Sequence, residues 1–383
     1  MKKLKIVHSE ETNFLIRGRG IPKGCKYCLE GAKTVLFLNG ICQKPDHCSW
    51  YCPISEERRG KDSTFADEIK IFSKEELGEE IKKIKAKGIS ITGGEPLLNS
   101  NLEKTLDFIK YVKSIRGKKF HVHLYTNGIN FNEIIAKELV KVGLDEIRFH
   151  PPKNKLSNIK LALNKGMTVG AEVPIIPEEE YLKDIESLIF YLERIGADFV
   201  NLNEFEYCFP NSQSLKERGF KLKKNSIASV ENSRESALYL IQKIAAKTSI
   251  KIHFCSIKAK DYYQLKNRYL RRAKNLKLPY EEITEEGLLL YGQIEGDKKS
   301  LTQLYNVLLS GLKIHSKFIS FGKDNIKLPY YIAIKDDVIR FLDRYSLNGY
   351  VLEALPFRRE IYRHITEKTP IKIYLQEVGL NEN

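Results

Sequence analysis

The sequence predicts an α/β protein, in which an open or closed barrel of six strand–helix units precedes a small α+β domain. Three observations lead to this prediction. Short apolar segments alternate with amphipathic helices six times between residues 34 and 203, and such alternation implies parallel strands joined by right-handed crossovers. From about residue 283 the alternation gives way to short aromatic-rich segments. The 383 residues also suit two or three domains of roughly 100 to 200 residues each.

The first unit shows how the elements are recognised. Ser73 and Glu76 form a capping box that opens its helix. Leu77 and Ile81 then recur at helical spacing, and Gly88 is predicted to end the helix. Strands are predicted at 34–38, 89–92, 121–125, 146–149, 167–173 and 198–203, with a late strand at 250–254 and a basic helix at 260–274.

The predicted domain limits are 1–34 for a basic N-terminal segment, 35–275 for the barrel core and 283–383 for the α+β domain. The hydrophobic fraction of 42% and charged fraction of 30% are typical of a folded soluble protein. No apolar run approaches the ~20 residues that span a membrane. The N-terminus also has too short an apolar stretch for a secretory signal. We therefore expect a cytoplasmic protein without membrane insertion.

The chain is basic, and its charge has two interpretations. Lys and Arg number 64 against 49 Asp and Glu, which gives a formal net charge of +15 and a pI near 9.2. Such an excess suits a polyanionic partner such as RNA. It equally suits the Lys/Glu-rich, Ile-rich surface of a thermophilic protein. The composition leaves both interpretations open.

The seven cysteines indicate metal or redox chemistry. Five of them fall between residues 25 and 52. An odd count in a reducing compartment argues against a disulfide framework. Three thiolates from one loop can hold three irons of a cubane cluster and leave the fourth iron open. Cys42, Cys48 and Cys52, in the loop after the first strand, are the candidates.

The polar candidates follow the predicted strands at their carboxyl ends, where α/β barrels carry their chemistry. We therefore expect them to converge on one rim. Glycine there lets the backbone approach a ligand closely. The candidates are the cysteine loop, the turn Gly93-Gly94-Glu95-Pro96, Thr126 and Asn127, His150 and Glu204.

Several motifs together resemble the radical S-adenosylmethionine (radical SAM) superfamily, and in detail archaeal proteins related to pyruvate formate-lyase activating enzyme. The resemblance spans roughly residues 24–275. One departure is the loop spacing, C-x5-C-x3-C here against the usual C-x3-C-x2-C. The matching segments are Gly24-Cys-Lys-Tyr-Cys28, 31–37, Cys52-Pro-Ile, 58–62, Thr92-Gly-Gly-Glu-Pro-Leu97 and Tyr125-Thr-Asn-Gly128.

The resemblance implies a partial (β/α)6 radical SAM barrel and an enzyme of transferase or oxidoreductase type. It implies that Cys42, Cys48 and Cys52 hold a [4Fe–4S] cluster that binds S-adenosylmethionine and cleaves it reductively to a 5′-deoxyadenosyl radical. Gly93 to Pro96 would contact the methionine moiety, and Tyr51 would pack near the adenine. A reductant such as ferredoxin or flavodoxin would supply the electron. The alternatives are a zinc knuckle and His47 as a substitute ligand.

A second metal site is predicted from the C-x2-C pair Cys25 and Cys28. Cys255, at the end of the late strand, is the expected partner. The site would hold an auxiliary [4Fe–4S] cluster or zinc. The alternative for Cys25 and Cys28 is a free cysteine pair or a redox motif. Cys208 either closes this site or is an ordinary half-buried thiol.

Other polar residues have both functional and structural interpretations. Thr126 and Asn127 either bind the ribose of the cofactor or complete an ordinary turn. Glu172 stands in an apolar strand, where a carboxylate must be paired or hydrated. It is a candidate cofactor contact together with Asn203, although a salt-bridged barrel interior explains both.

Three functions remain. The main hypothesis is radical modification of tRNA or another RNA, suggested by the net charge and by a basic strip of Arg268, Arg271 and Arg272 on one predicted helix face. The alternative is an activase or another enzyme that modifies a protein or peptide. A zinc-stabilised RNA-binding module is the third.

Overall fold

The computed structural model describes residues 6–9, 13–16, 19–43 and 47–379. The chain forms two compact units, residues 1–265 and residues 266–383. The sequence-based domain limits of 1–34, 35–275 and 283–383 remain a prediction. Within the described residues, no helix is both long and apolar enough to cross a membrane.

The first unit alternates strands with helices. Short 3-10 segments occur at Ser49–Tyr51 and Lys153–Ala162, and a π-helical turn at Ala259–Leu265. The strands are β1 (Ile6–Ser9), β2 (Asn13–Ile16), β3 (Lys33–Phe37), β4 (Thr64–Ala66), β5 (Ile69–Ile71), β6 (Gly88–Thr92), β7 (His121–Thr126), β8 (Glu146–Phe149), β9 (Thr168–Ile175), β10 (Phe199–Glu204) and β11 (Lys251–Cys255). The helices are α1 (Lys23–Leu29), α2 (Lys74–Lys83), α3 (Asn99–Arg116), α4 (Glu133–Val142), α5 (Glu179–Ile195), α6 (Ser212–Glu217) and α7 (Ser233–Ile244).

These strands form one sheet in the order β1-β2-β11-β10-β9-β8-β7-β6-β3-β4-β5. All pairings from β3 through β6 to β11 are parallel, whereas the hairpins at both edges are antiparallel. The architecture is therefore the predicted partial barrel. The late strand β11 joins it as a seventh parallel strand.

Two local predictions about α2 have different outcomes. Ser73 caps the helix as predicted, because its hydroxyl accepts a hydrogen bond from the Glu76 amide at 3.3 Å. The predicted end at Gly88 is wrong, because the helix ends at Lys83 and Gly88 begins β6. A Cβ at Gly88 would lie 2.5 Å from the His121 carbonyl oxygen. This glycine therefore serves the close packing of β6 against β7.

The second unit is an antiparallel sheet with helices, as the predicted α+β class requires. Its sheet order is β14-β15-β13-β16-β17, with β12 paired to β13. Leu301, Leu304 and Val351 belong to its apolar core. Its elements are α8 (Lys266–Leu276), β12 (Glu282–Ile283), β13 (Leu289–Glu295), α9 (Lys298–Asn306), β14 (Ser320–Phe321), β15 (Asn325–Leu328), α10 (Tyr330–Ala333), α11 (Asp336–Arg344), β16 (Asn348–Ala354), β17 (Ile365–Pro370) and α12 (Ile371–Glu377).

The predicted basic strip is not an exposed surface. The segment 260–274 is not one helix but a π-helical turn followed by α8. Arg272 is only 2% exposed. Its Nε donates to the Pro356 carbonyl at 3.0 Å, and its guanidinium lies 4.3 Å from the Phe357 ring centroid. Arg268 and Arg271 are partly buried, so the three arginines do not form an exposed strip.

Candidate active site at the carboxyl rim of the barrel

A cavity of about 380 Å³ lies where the parallel strands end. It brings together every rim residue and every cofactor-contact candidate that the sequence indicates. Two cations, Arg59 and Lys260, also line it. The predicted residues in its wall are Cys42, Cys48, Tyr51, Cys52, Gly93, Gly94, Glu95, Pro96, Thr126, Asn127, His150, Glu172, Asn203 and Glu204.

The cysteine loop, residues 42–52, is fixed at its base and near its end. The Gly40 amide donates to the Lys61 carbonyl at 2.8 Å, and the Gly60 amide donates back to the Gly40 carbonyl at 2.9 Å. Arg59 donates to the Cys52 carbonyl at 2.9 Å. Residues 44–46 lie outside the described residues. The three thiols therefore face one cavity from a loop with anchored ends.

The glycines of the turn at 93–94 approach the cysteine loop rather than open space. The Gly94 amide donates to the Asn39 carbonyl at 2.8 Å, and the Glu95 amide donates to the Ile41 carbonyl at 2.9 Å. Gly93 has φ +139°, and a Cβ at Gly94 would lie only 2.1 Å from the Ile41 oxygen. The turn thus sets the position of the residue directly before Cys42.

Gly94→Ala is expected to remove most cluster binding at the cysteine loop, because the new methyl group displaces the Ile41 backbone. The measurement is iron content after anaerobic reconstitution, with folding checked by circular dichroism. Gly311→Ala is the matched control. A Cβ there meets only a Val307 methyl carbon, at 3.7 Å. Full iron content in the Gly94 variant would contradict the close approach described above.

Glu95 joins the ends of β6 and β7. It is 1% exposed and accepts from the Thr126 hydroxyl at 2.7 Å, the Asn127 amide at 2.7 Å and the Leu97 amide at 2.9 Å. Burial raises its pKa, although these hydrogen bonds oppose the rise. The Thr126 hydroxyl also accepts from the Gly128 amide at 3.0 Å. These internal bonds favour the turn interpretation for Thr126.

Tyr51 stands between the first cavity and a second one. Its hydroxyl is 2.8 Å from His150 Nε2. The second cavity, of about 390 Å³, shares Tyr51 and His150 with the first. Burial, followed by the influence of His47, lowers the pKa of His150 to about 3, so its imidazole is neutral at pH 7. His47 lines the second cavity rather than the first.

The barrel interior contains a chain of buried charges. Arg148 is 2% exposed and donates to Glu146 Oε1 at 2.6 Å and to Glu172 Oε2 at 2.6 Å. Glu172 also accepts from Asn201 and Asn203, each at 2.9 Å. Burial would raise the pKa of Glu172, but Arg148 and the two amides outweigh burial and lower it. Glu172 therefore reaches the cavity as a paired carboxylate.

Sequence reasoning missed Lys33 and Glu146 as members of this interior. Both are almost fully buried, at 2% and 1% exposed. Lys33 Nζ lies 2.9 Å from His123 Nε2. The signal was present in the sequence, because His121, His123 and Tyr125 alternate along β7, and Glu146 and Arg148 alternate along β8. Polar residues at period two mark a polar inner face.

The stability of the protein is expected to increase between pH 8 and 10.5 because of Lys33. Burial lowers the pKa of this ammonium from 10.5 to about 8. In that window the unfolded chain binds more protons than the folded chain, so the free energy of unfolding rises with pH, by up to about 3 kcal/mol. The check is urea unfolding of wild type and Lys33→Met across the window. A constant difference between the two would show that Lys33 is not desolvated.

Cys25 and Cys255 lie on the interior, and Cys208 lies elsewhere. The Cys25 thiol accepts from Asn201 Nδ2 at 3.0 Å, and burial raises its pKa to about 12. Burial also raises the pKa of Cys255 to about 12. Cys25 and Cys28 both act electrostatically on Cys255. Cys208 is instead influenced electrostatically by Cys52. Cys52 belongs to the wall of the first cavity, so Cys208 lies near that cavity.

Comparison with known proteins identifies the family. A family model described as the radical SAM superfamily matches residues 15–151. A Methanocaldococcus jannaschii protein is 40% identical over 354 residues, which cover 88% of this chain and 90% of the relative. The chain belongs to the radical SAM superfamily. The relationship to activating enzymes is also supported, since that relative bears the name of a glycyl-radical enzyme activating enzyme, an inferred role.

Further similarities to known proteins are partial or remote. GTP 3′,8-cyclase of Aquifex aeolicus is 31% identical over 139 residues, which cover 34% of this chain and 40% of the relative. Streptococcus suis SuiB bound to its precursor peptide SuiA matches with a TM-score of 0.43 at 11% identity, over 66% of this chain and 53% of SuiB. Escherichia coli coproporphyrinogen III oxidase matches with a TM-score of 0.34 at 8% identity, over 85% of this chain and 93% of that enzyme.

Radical SAM enzymes use a [4Fe–4S] cluster and S-adenosylmethionine, and the first cavity fits this pair. Its wall contains three thiols, the ligands that iron–sulfur clusters take. Membership of the radical SAM superfamily therefore favours a [4Fe–4S] cluster over zinc at these thiols.

Proposed function

We propose that this radical SAM enzyme abstracts hydrogen from a protein partner, as an activating enzyme for a glycyl-radical protein. The observation that carries the proposal is the 40% identity to the Methanocaldococcus jannaschii relative over 90% of its length. The unmatched 12% of this chain is too short to contain the whole second unit. The similarity therefore includes most of that unit as well as the barrel.

In this proposal the residues of the first cavity divide between two tasks. Cys42, Cys48 and Cys52 hold the cluster, which with S-adenosylmethionine supplies a 5′-deoxyadenosyl radical. The carboxylate of Glu172 and the amide of Asn203 remain fixed by their mutual hydrogen bond. They present rigid polar groups to the cofactor, and preorganised groups of this kind orient a bound molecule at low entropic cost. Tyr51 supplies an aromatic face, and Gly93 to Pro96 supply backbone groups.

The second cavity supports a peptide rather than a nucleic acid. Its walls are largely apolar and include Leu156, Val173 and Leu188. The one lysine among the described residues of its wall, Lys153, pairs with Asp184 at 2.6 Å. An apolar cavity with a neutralised cation suits an apolar side chain, whereas RNA binding depends on unpaired cations for phosphate contacts. The partial burial of the predicted basic strip also argues against RNA binding. The activase alternative therefore replaces RNA modification as the main hypothesis.

The test measures transfer of deuterium from glycine residues of a protein to 5′-deoxyadenosine. Soluble protein from source cells grown on glycine deuterated at Cα is incubated anaerobically with the enzyme, S-adenosylmethionine and dithionite. We expect mass spectrometry to show deuterium in 5′-deoxyadenosine. Electron paramagnetic resonance should show a glycyl-radical doublet with unlabelled extract and a collapsed, narrower line with the deuterated extract, because the doublet arises from the hydrogen that remains on Cα. Protease treatment of the extract should remove both signals, whereas ribonuclease should leave them.

Two controls define the result. Extract labelled with deuterated alanine should give no deuterium transfer, because an alanine Cα is not the proposed donor. Enzyme with Cys42, Cys48 and Cys52 replaced by alanine should give none with either label. Stimulation of 5′-deoxyadenosine formation that ribonuclease abolishes would overturn the proposal and restore an RNA substrate.

A further inference from the structure

Helix α1 packs against the sheet and places its two cysteines beside the polar interior of the barrel. It contacts β3, β6 and β7. Gly24 leaves no room for a side chain there, because a Cβ would lie 2.3 Å from His123 Nδ1. The Gly24 amide donates to Glu146 Oε2 at 3.3 Å. The next residue, Cys25, is 6% exposed. A helix of seven residues thus presents Cys25 to the centre of the barrel.

Strand β11 brings Cys255 and His253 to the same interior. The two residues are two positions apart and so share one face of the strand. In the pairing with β10, His253 is opposite Asn201 and Cys255 is opposite Asn203. Asn201 is the residue whose amide donates to Cys25. Cys28 lies one turn after Cys25 on α1 and so shares its face. Helix α1 contacts the turn Ala259–Leu265, which follows Cys255 closely in the chain, so the three cysteines lie around this interior.

Nitrogen donors surround these sulfur atoms. Cys25 Sγ accepts from Asn201 Nδ2 at 3.0 Å and from Arg148 Nη2 at 3.4 Å. Cys255 Sγ accepts from Gln264 Nε2 at 3.5 Å. Hydrogen bonds of this kind stabilise sulfur that carries negative charge, as metal-bound sulfur does. N–H bonds to sulfur also belong to the environment of iron–sulfur clusters.

The His253 imidazole has unsatisfied polar atoms in this interior. His253 is 1% exposed, and neither ring nitrogen has a hydrogen-bond partner within the described part of the chain. A buried polar group without a partner is costly, and neutral imidazole nitrogen is a common metal ligand. A metal group coordinated by the nearby thiolates would satisfy this ring.

We propose that Cys25, Cys28 and Cys255 hold a second iron–sulfur cluster, with the His253 imidazole as its fourth ligand. Thiolates are soft ligands that select iron–sulfur clusters or zinc. The nitrogen donors around Cys25 and Cys255 favour the cluster, because such hydrogen bonds belong to the surroundings of iron–sulfur sites. Glu172 and Lys260 line the first cavity and also act on Cys255. The second cluster therefore adjoins the active cavity. This site goes beyond the proposed function and does not depend on the substrate.

Metal content tests the site without any activity measurement. After anaerobic reconstitution, wild type should bind about eight irons per chain, the content of two cubanes. Replacing Cys25, Cys28 and Cys255 by alanine should leave about four. Replacing Cys42, Cys48 and Cys52 should also leave about four, with a paramagnetic signal after dithionite reduction. Cys208→Ala is the matched control and should retain the wild-type content.

The variant that lacks Cys42, Cys48 and Cys52 tests the second site even if the variant that lacks Cys25, Cys28 and Cys255 fails to fold. If that loop variant binds no iron, or if wild type binds only about four irons, the second cluster does not exist. About four irons with one zinc would overturn the cluster in favour of zinc. His253→Ala should shift the g-values of the signal that remains in the loop variant. Unchanged g-values would exclude His253 as a ligand.

Discussion

Replacing Cys42, Cys48 and Cys52 together by alanine is expected to reduce S-adenosylmethionine cleavage to the level of an enzyme-free control. These are the three cysteines of the wall of the first cavity, and thiolates are the ligands that a cubane requires. No other described side chain in that wall supplies a soft ligand. The measurement is 5′-deoxyadenosine formed with dithionite under anaerobic conditions, quantified by chromatography.

Cys208→Ala is the sharp control for that prediction. Cys208 is half-buried and close enough to Cys52 to influence it electrostatically, yet it is absent from the cavity wall. Its variant should cleave S-adenosylmethionine at the wild-type rate. Continued cleavage in the triple variant would refute the ligand set and leave His47 or Cys208 as the next ligands to test. The same experiment decides whether the C-x5-C-x3-C spacing supports a catalytic cluster.

The sequence was sufficient to predict the barrel and the residues of its rim, because both predictions depend on periodic patterns. Alternation of strands with helices fixes parallel pairing, and parallel pairing sends every strand end to the same edge. Gly93, Asn127 and Glu172 therefore converge on one cavity although they lie far apart in the chain. No knowledge of individual contacts is needed for that inference.

Contacts between distant segments were not predictable in the same way. The sequence indicates that Gly94 permits a close approach, but not that the approaching group is the Ile41 carbonyl. A helical wheel places Arg272 on a polar face. It cannot show that Pro356 and Phe357 cover this side chain. Long side chains can bury their stems and satisfy their charges internally, so charge counting overestimates the exposed basic surface.

The position of α1 was the least predictable feature that affects function. Its seven residues include two lysines, a glycine and a tyrosine, and no apolar stripe indicates a buried helix. The helix is held instead by polar contacts, such as the bond from Gly24 to Glu146. Arg148 connects these contacts to the cavity, since it bonds Glu146, Glu172 and Cys25.

Arg148→Met is consequently expected to destabilise the protein by about 3 to 5 kcal/mol, the cost of breaking a buried charge network by removing one partner. The methionine fills similar space but leaves the buried carboxylates of Glu146 and Glu172 without their shared cation. The measurement is anaerobic urea unfolding at pH 7. Arg340→Met is the control, because Arg340 has a 71% exposed side chain and pairs with Asp337 at the surface. Its loss should cost less than about 1 kcal/mol.

A rescue variant separates lost charge pairing from lost packing. If unpaired charge is the cause, adding Glu146→Gln and Glu172→Gln to Arg148→Met should recover part of the lost stability, because the two carboxylates that lost their cation are then neutral. The recovery is partial because Glu146 also stabilises the buried ammonium of Lys33. Recovery in the triple variant would show that the interior is held by electrostatic balance rather than by the shape of the guanidinium. An Arg148→Met protein as stable as the Arg340→Met control would instead mean that water reaches Glu146 and Glu172, and that the interior between α1 and the active cavity is not closed.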